Sequence, residues 1–369
     1  MTNYESLGIR PIINAYATLT RLGGSIMRPE VVQAMSEASK CFVDLEELQL
    51  KVGAKIAELT QNKAATITSG AAAGIKLAAA ACVTIHDQKS SPQFPVSDQL
   101  KNEIIVHKAH RNGFDYGIEE LGLKLIEIGD SNGTSLDDLR RAISKRSAAI
   151  FWFQGVMTSD ADVPLPDLIK IANEYDIPVI VDAAAQLPPV ENLWRYTQMG
   201  AALAIFSGGK DLRGPQSSGL ILGRTDLIEE IRSQSNPNYG IGRTMKVGKE
   251  EIMGLLVAVE CYLKIDHDAR QQHCEEIVKN WCESINQVEG LKAERDFPNE
   301  AGQPLPWCLV TINREKCPIS RDEMVQNLLD GDPAVAVSPY GESQFHLNPT
   351  TLQPGEEIIV LERLIESCR

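Results

Sequence analysis

Short apolar runs alternate with helical periodicities along most of the chain. Residues 64–85 pass from a short strand through Ser69-Gly70 into an alanine-rich helix. Further strand-like runs fall at 104–107, 124–128, 148–153 and 178–181, and two more flank the turns in FSGGKDLRGPQSSGLILG, residues 206–223. Between them, 135–144 opens with a capping-type serine followed by Asp137 and Asp138, and 166–174 is amphipathic. This alternation predicts an α/β domain with a mainly parallel sheet covered by helices on both faces.

Flanking segments complete the pattern. A strand-like run at 11–15 sits in an N-terminal arm, and 27–60 is helical with a start at Pro29 and a break near 41–44. Residues 86–103 form a polar loop. After a helix at 224–235 and a glycine-rich loop, helices are expected at 250–265 and 268–289, strands near 308–312 and 334–337, and a closing helix at 356–368. The expected division is an arm at 1–25, a large domain at 26–250 and a small C-terminal α+β domain at 251–369.

Candidate chemistry lies where strands end, because ligands of open α/β sheets collect at the carboxyl ends of strands. Ser69-Gly70-Ala71-Ala72 opens a helix, so free backbone N–H groups and the positive dipole end suit a phosphate; a small-residue helix packed on the sheet is the plain alternative. Asp182 follows a buried run in IPVIVDAAAQLPP, where a carboxylate needs a cation, a protonated heterocycle or a helix end. Lys210 follows two glycines that let a bound group approach the backbone, although such a turn alone also reads as a surface loop. His110 follows the run at 104–107 and could stack on a flat ring or exchange protons; a histidine satisfied by the backbone is the plain alternative, and the residue alone favours it. His107, inside the strand, is the less suited of the two. Arg243, Lys246 and Lys249 make one loop locally basic, either as an anion clamp or as a solvated linker.

Composition narrows the class. With 36 basic against 50 acidic residues the net charge is −14, which offers no general basic surface for nucleic acid. Eight cysteines form no CxxC pair and no zinc-like Cys/His spacing, so no metal is expected. There is no GxxxxGK[ST] and no GxGxxG, which removes the usual support for nucleoside triphosphates and dinucleotides. No signal-like or membrane-spanning run is present, so the expectation is a cytoplasmic protein without membrane partners.

Taken in order, Ser69-Gly70-Ala71-Ala72, His110 with Asn112, Asp182, and Ser207-Gly208-Gly209-Lys210 resemble the phosphate cup, ring-stacking histidine, pyridine-nitrogen partner and imine-forming lysine turn of fold-type I enzymes that use pyridoxal 5′-phosphate (PLP). Segments 13–25, 42–60, 68–74, 181–189 and 242–251 are similar to the branch containing the selenocysteine synthase relatives and the D-glucosaminate-6-phosphate ammonia-lyases. The chain departs from that pattern at Gln186 after DAAA and at Gln154, which stands where an asparagine often faces the cofactor's phenolic oxygen. It also lacks a clear counterpart of the C-terminal arginine that binds the substrate carboxylate, leaving Arg21, Arg213 or Arg243 for that charge.

The resemblance implies a fold-type I PLP-dependent transferase-like fold with a seven-stranded-type sheet, PLP as cofactor, and a homodimer or higher homo-oligomer. It implies Lys210, Asp182 and His110 as catalytic residues. Ser69, Gly70, Ala71, Ala72, Gln154, Ala184 and Ser207 join them around the cofactor, and Thr18, Arg21, Arg243 and Lys246 meet the substrate. The implied reaction is elimination from an amino acid with a β-leaving group, giving a 2-oxo acid and ammonia. Racemisation, β-replacement or selenium and sulfur transfer on the same scaffold is the alternative, followed by a non-catalytic binding protein.

Overall fold

A computed structural model describes residues 3–85, 94–96, 100–130 and 133–368. Most of the polar loop expected at 86–103 lies outside these residues. The chain divides into two compact units, residues 27–264 and residues 1–26 with 265–369. Among the described residues no helix is long and apolar enough to cross a membrane.

The first strand, β1 (Ile12–Ala15), belongs to the smaller unit. The larger unit begins with α1 (Pro29–Ala38) and α2 (Leu45–Leu59). Pro29 occupies the first turn of α1, where its missing N–H has no partner to lose. Asp44 caps α2 by accepting from Glu47 N at 2.9 Å, which accounts for the break expected near 41–44. Next come β2 (Ala64–Thr68), α3 (Ala71–Thr84), β3 (Glu103–His107), α4 (Tyr116–Glu119) and β4 (Lys124–Ile128). They are followed by α5 (Leu136–Ala142), β5 (Ser147–Phe153), α6 (Leu165–Glu174), β6 (Val179–Asp182), α7 (Asn192–Met199) and β7 (Leu203–Ser207). Strand β8 (Gly219–Gly223), α8 (Thr225–Gln234) and α9 (Lys249–Tyr262) close the unit.

Its seven strands stand in the order β2-β8-β7-β6-β5-β3-β4, all parallel except β8, which runs antiparallel to both neighbours. All seven residues of β5 are buried, as a strand covered on both faces requires, and this explains its unbroken apolar run. Phe151 and Phe153 join Ile75, Ile104, Ile205 and Ile221 in one core, each closed side chain contributing about 1.5–3 kcal/mol. Ser135 and Asp138 form the reciprocal capping box that starts α5. Helix α9 packs on α1 and α2, so the division between units falls after residue 264 rather than at 250.

The smaller unit contains α10 (His267–Ile285), β9 (Leu291–Asp296), β10 (Trp307–Ile312), α11 (Arg321–Asp330), β11 (Ala334–Tyr340), β12 (Gln344–Leu347) and α12 (Glu356–Ser367). Its sheet order is β1-β11-β12-β10-β9. The N-terminal arm is therefore no separate element: β1 pairs in parallel with β11, Ile13 opposite Val335, and Asn348 N donates to Ala15 O at 2.9 Å. The apolar pattern does not predict β9, β12 or α11. Strand β9 is an edge strand with charged Lys292 and Glu294 exposed, and α11 is announced only by its Ser320–Glu323 capping box.

Candidate active site

The sheet register brings four of the sequence-predicted stations, together with His107, to one edge. Thr68 and Ser207 both lie opposite Gly219, Asp182 lies opposite Ile205, and Phe153 lies opposite Asp182. Because β2, β7, β6, β5 and β3 are parallel, Ser69, Ser207, Asp182, Gln154 and His107 all stand at their carboxyl ends. At roughly 4.8 Å between strands, the edge from β2 to β6 spans about 14 Å, the scale of a small cofactor.

Lys210 leaves this edge in a tight double turn. Gly208 N donates to Ser218 O at 2.9 Å, Gly214 N to Gly208 O at 2.8 Å, and Arg213 N to Lys210 O at 3.0 Å, with Arg213 held at φ 53°. These bonds tie β7 to β8 and leave Lys210 half-buried. Asp182, 9 % exposed, ends β6, and its Oδ1 accepts from Ala184 N at 3.0 Å. Burial pushes its carboxyl up to about 6, against the opposing pull of the Ala184 N–H and the charge of Lys210. Ala184 and Ser207 are half-buried beside it, and Ser207 N donates to Ala184 O at 3.3 Å.

At the other end of the row, Gly70 is the N-cap of α3 at φ 127°, ψ 162°, a conformation open to glycine. The first bond to its carbonyl comes from Gly74 N, so the N–H groups of Ala71, Ala72 and Ala73 start the helix without an intrahelical acceptor. Thr68 Oγ1 donates to Gly70 O at 2.8 Å and steadies the turn. Gly219 lies against it: a Cβ there would meet the Gly70 carbonyl carbon at 2.4 Å.

The histidine segment is arranged differently from the sequence expectation. His110 is 0 % exposed, and both ring nitrogens are engaged: Nδ1 lies 3.2 Å from His107 Nδ1, and Nε2 lies 3.2 Å from Asp162 Oδ2. Protein atoms cover its ring, so a flat cofactor would stack on it only after that cover moved. Burial lowers the pKa of both histidines, that of His107 to about 4, so both are neutral near pH 7. With Nε2–H donated to the Asp162 carboxylate, His110 Nδ1 accepts from His107 Nδ1–H.

His107, His110 and Asp162 also form a group whose ligand-type atoms lie within 4.8 Å of one another. Their mutual hydrogen bonds occupy both nitrogens of His110, Nδ1 with His107 and Nε2 with Asp162, so in this arrangement His110 has no free lone pair for an ion.

Trp152 meets both imidazoles edge-on, at centroid distances of 5.0 Å and 4.7 Å, and its Nε1–H donates to Gln154 Oε1 at 2.7 Å. Neither Asp162 nor Trp152 stands out in the sequence. Both come from the β5–α6 segment and meet β3 only through the fold.

Other expected contacts lie elsewhere. Arg243 and Lys246 belong to the loop after α8, where Gly242 N donates to Gln234 O at 2.8 Å. Arg243 stacks over the Tyr239 ring at 5.7 Å, and its Nε is closed to solvent without a hydrogen-bond partner among the described residues. Lys246 is exposed. Thr18 and Arg21 belong to the smaller unit, where Arg21 lies 5.4 Å over Tyr16.

The donor set suits PLP. The α3 turn offers N–H groups to a phosphate, the close approach of Gly219 to Gly70 keeps side chains out of that turn, and the buried Asp182 carboxylate is suited to a protonated ring nitrogen.

Comparison with known proteins agrees with this chemistry. The family model described as SelA, L-seryl-tRNA selenium transferase, matches residues 12–295. The chain is similar to a 5′-C-glycyluridine monooxygenase-decarboxylase of Streptomyces sp, 32 % identical over 98 % of this chain and 91 % of that protein. It is also similar to a D-glucosaminate-6-phosphate ammonia lyase of Salmonella typhimurium, 31 % identical over 98 % and 97 % of the two chains. A solved structure of D-glucosaminate-6-phosphate ammonia-lyase superposes with a TM-score of 0.87 at 30 % identity, covering 100 % of this chain and 99 % of that one. With most of its length matched by the family model and by full-length relatives, the chain belongs to the SelA family of fold-type I pyridoxal 5′-phosphate-dependent enzymes.

Proposed function

We propose that the protein eliminates water from an amino acid bearing a β-hydroxyl, that the resulting enamine tautomerises to an imine and takes up one water to release ammonia and a 2-oxo acid, and that its substrate is a phosphorylated sugar amino acid like D-glucosaminate 6-phosphate. The observation that carries this reading is the Asp182 carboxylate, buried at the end of β6 and within the electrostatic reach of Lys210. The full-length likeness to an ammonia lyase supports the substrate class.

When bound, PLP supplies an electron sink for the charge that develops at the substrate Cα. In this reading Lys210 would hold the cofactor covalently, and its amine is the group that would serve as general base at the substrate Cα. Asp182, ionised, keeps the ring nitrogen protonated. The N–H groups of Gly70, Ala71 and Ala72 and the hydroxyls of Ser69 and Ser207 bind the phosphate, Ala184 leaves room for the ring, and Gln154 meets its phenolic oxygen. His110 stacks on the ring face once the protein atoms that now cover it have moved. Thr18, Arg21, Arg243 and Lys246 meet the substrate's anionic groups, Arg243 and Lys246 by charge-assisted bonds.

The proposal includes a homodimer in the cytoplasm. The dimer is supported by the resemblance to fold-type I enzymes, which usually have the site at a dimer interface, and the cytoplasm by eight cysteines that form no disulfide, as suits a reducing compartment.

Incubation with a panel of hydroxylated amino acids, phosphorylated and not, tests the reading. Ammonia and 2-oxo acid in equal amounts are expected. Retained nitrogen with loss of optical purity would assign a racemase. The likeness to a monooxygenase-decarboxylase supports a second reading, in which oxygen is consumed and carbon dioxide released in place of ammonia.

A further inference from the structure

Gln154 is half-buried at the end of β5, and its backbone N–H donates to Asp182 O at 2.9 Å, so the side chain starts beside the buried carboxylate. A glutamine amide has an acceptor end and a donor end of nearly equal shape, and only its neighbours decide which faces a ligand.

Two neighbours decide it here. The Trp152 indole is donor-only, so the atom 2.7 Å from its Nε1 is the amide oxygen of Gln154. On the other side the Gln154 amide nitrogen lies 3.2 Å from Thr158 Oγ1. That hydroxyl spends its proton on Gly155 O at 2.6 Å and turns a lone pair to Gln154. Both contacts select the same orientation, and reversing the amide would break both. One Nε2 proton is used by Thr158, and the second remains.

Trp152 is itself fixed. It is 5 % exposed and packs edge-on against His107 and His110, which are joined to each other and, through His110, to Asp162. Ser159 N also donates to Asp162 Oδ2 at 2.9 Å, so the pair holds the segment that carries Thr158.

We propose that Trp152 and Thr158 are positioning residues that lock the Gln154 side-chain amide as a hydrogen-bond donor toward the phenolic oxygen of the cofactor. The inference rests on the functional reading above, which puts the PLP ring between Gln154 and Asp182. A fixed donor at that oxygen favours its ionised form, and fixing it before binding removes the cost of choosing between two amide orientations.

The test uses the holoenzyme and two readouts besides turnover: PLP affinity, and the pH midpoint of the visible absorption band. Trp152→Phe keeps an aromatic ring but removes the N–H together with the pyrrole half of the indole, so a control is needed that separates the lost donor from the lost packing. The variant is expected to weaken PLP binding about 5- to 10-fold, the range of one neutral hydrogen bond, and to move the midpoint upward. Thr158→Val is expected to act in the same direction.

Gln154→Leu supplies the control that a packing role would fail. In that background Trp152→Phe should change neither readout further, because its effect passes through Gln154. Unchanged affinity and midpoint in both Trp152→Phe and Thr158→Val would overturn the inference, as would full additivity of Trp152→Phe with Gln154→Leu. A wild-type protein that forms no visible band with PLP would instead overturn the functional reading itself.

Discussion

Gly219 and Gly70 meet backbone to backbone: a methyl group on Gly219 would stand 2.4 Å from the Gly70 carbonyl carbon and 2.7 Å from Ala71 N. The first residue of the antiparallel strand thus sets where α3 begins, and with it the three N–H groups offered to a phosphate. Gly219→Ala must push the α3 turn aside at a cost of about 1–3 kcal/mol. We expect a lower melting temperature and PLP affinity reduced at least about tenfold, measured by equilibrium dialysis. Unchanged affinity would mean that phosphate is held elsewhere.

Asp182 makes a prediction about the apoprotein. Its folded carboxyl is raised from 3.8 to about 6, so between these pH values the folded chain binds more protons than the unfolded one. Stability should therefore fall as pH rises through that window. At pH 7 the ionised, buried carboxylate costs about 2–3 kcal/mol. Asp182→Asn, which keeps the acceptor for Ala184 N, should make the apoprotein more stable near pH 7 and no more stable near pH 4. Denaturant unfolding at both pH values decides it; an Asn variant less stable at pH 7 contradicts the account.

Lys210→Ala should abolish the visible PLP adduct that borohydride bleaches in the wild type, and it should lower kcat by about 10²–10⁴-fold. A reducible adduct that survives would assign the covalent link to another lysine.

Arg243 has a buried Nε with no partner among the described residues, and its neighbour Tyr239 is 94 % exposed. If the guanidinium binds phosphate, Arg243→Ala should raise KM for a phosphorylated substrate about 10- to 100-fold and barely change an unphosphorylated one. Equal effects on the two substrates would remove that role.

The sequence by itself determined the larger unit's elements and the edge that carries its chemistry. The central parallel strands announce themselves as short apolar runs, as in the AAIFWF of β5, and end at or just before a polar residue such as Ser69, Asp182 or Ser207, whereas the edge strand β4 (KLIEI) is interrupted by charges. Local pattern was enough because a strand buried on both faces has no polar alternative.

What depended on contacts distant in sequence was not legible. Strand β9 hides its pairing under exposed charges, and β1 pairs with β11, whose residues lie more than three hundred positions later. The histidine segment is the sharpest case. From the sequence, His110 is either a ring-stacking histidine, as the resemblance implies, or one satisfied by the backbone; in the fold, side chains distant in sequence or across a turn, Asp162 and His107, engage both its nitrogens. Only the tertiary structure decided that Trp152, an apolar position in the pattern of β5, would turn its single donor to Gln154. A hydrogen bond has direction, and hydrophobic periodicity carries none.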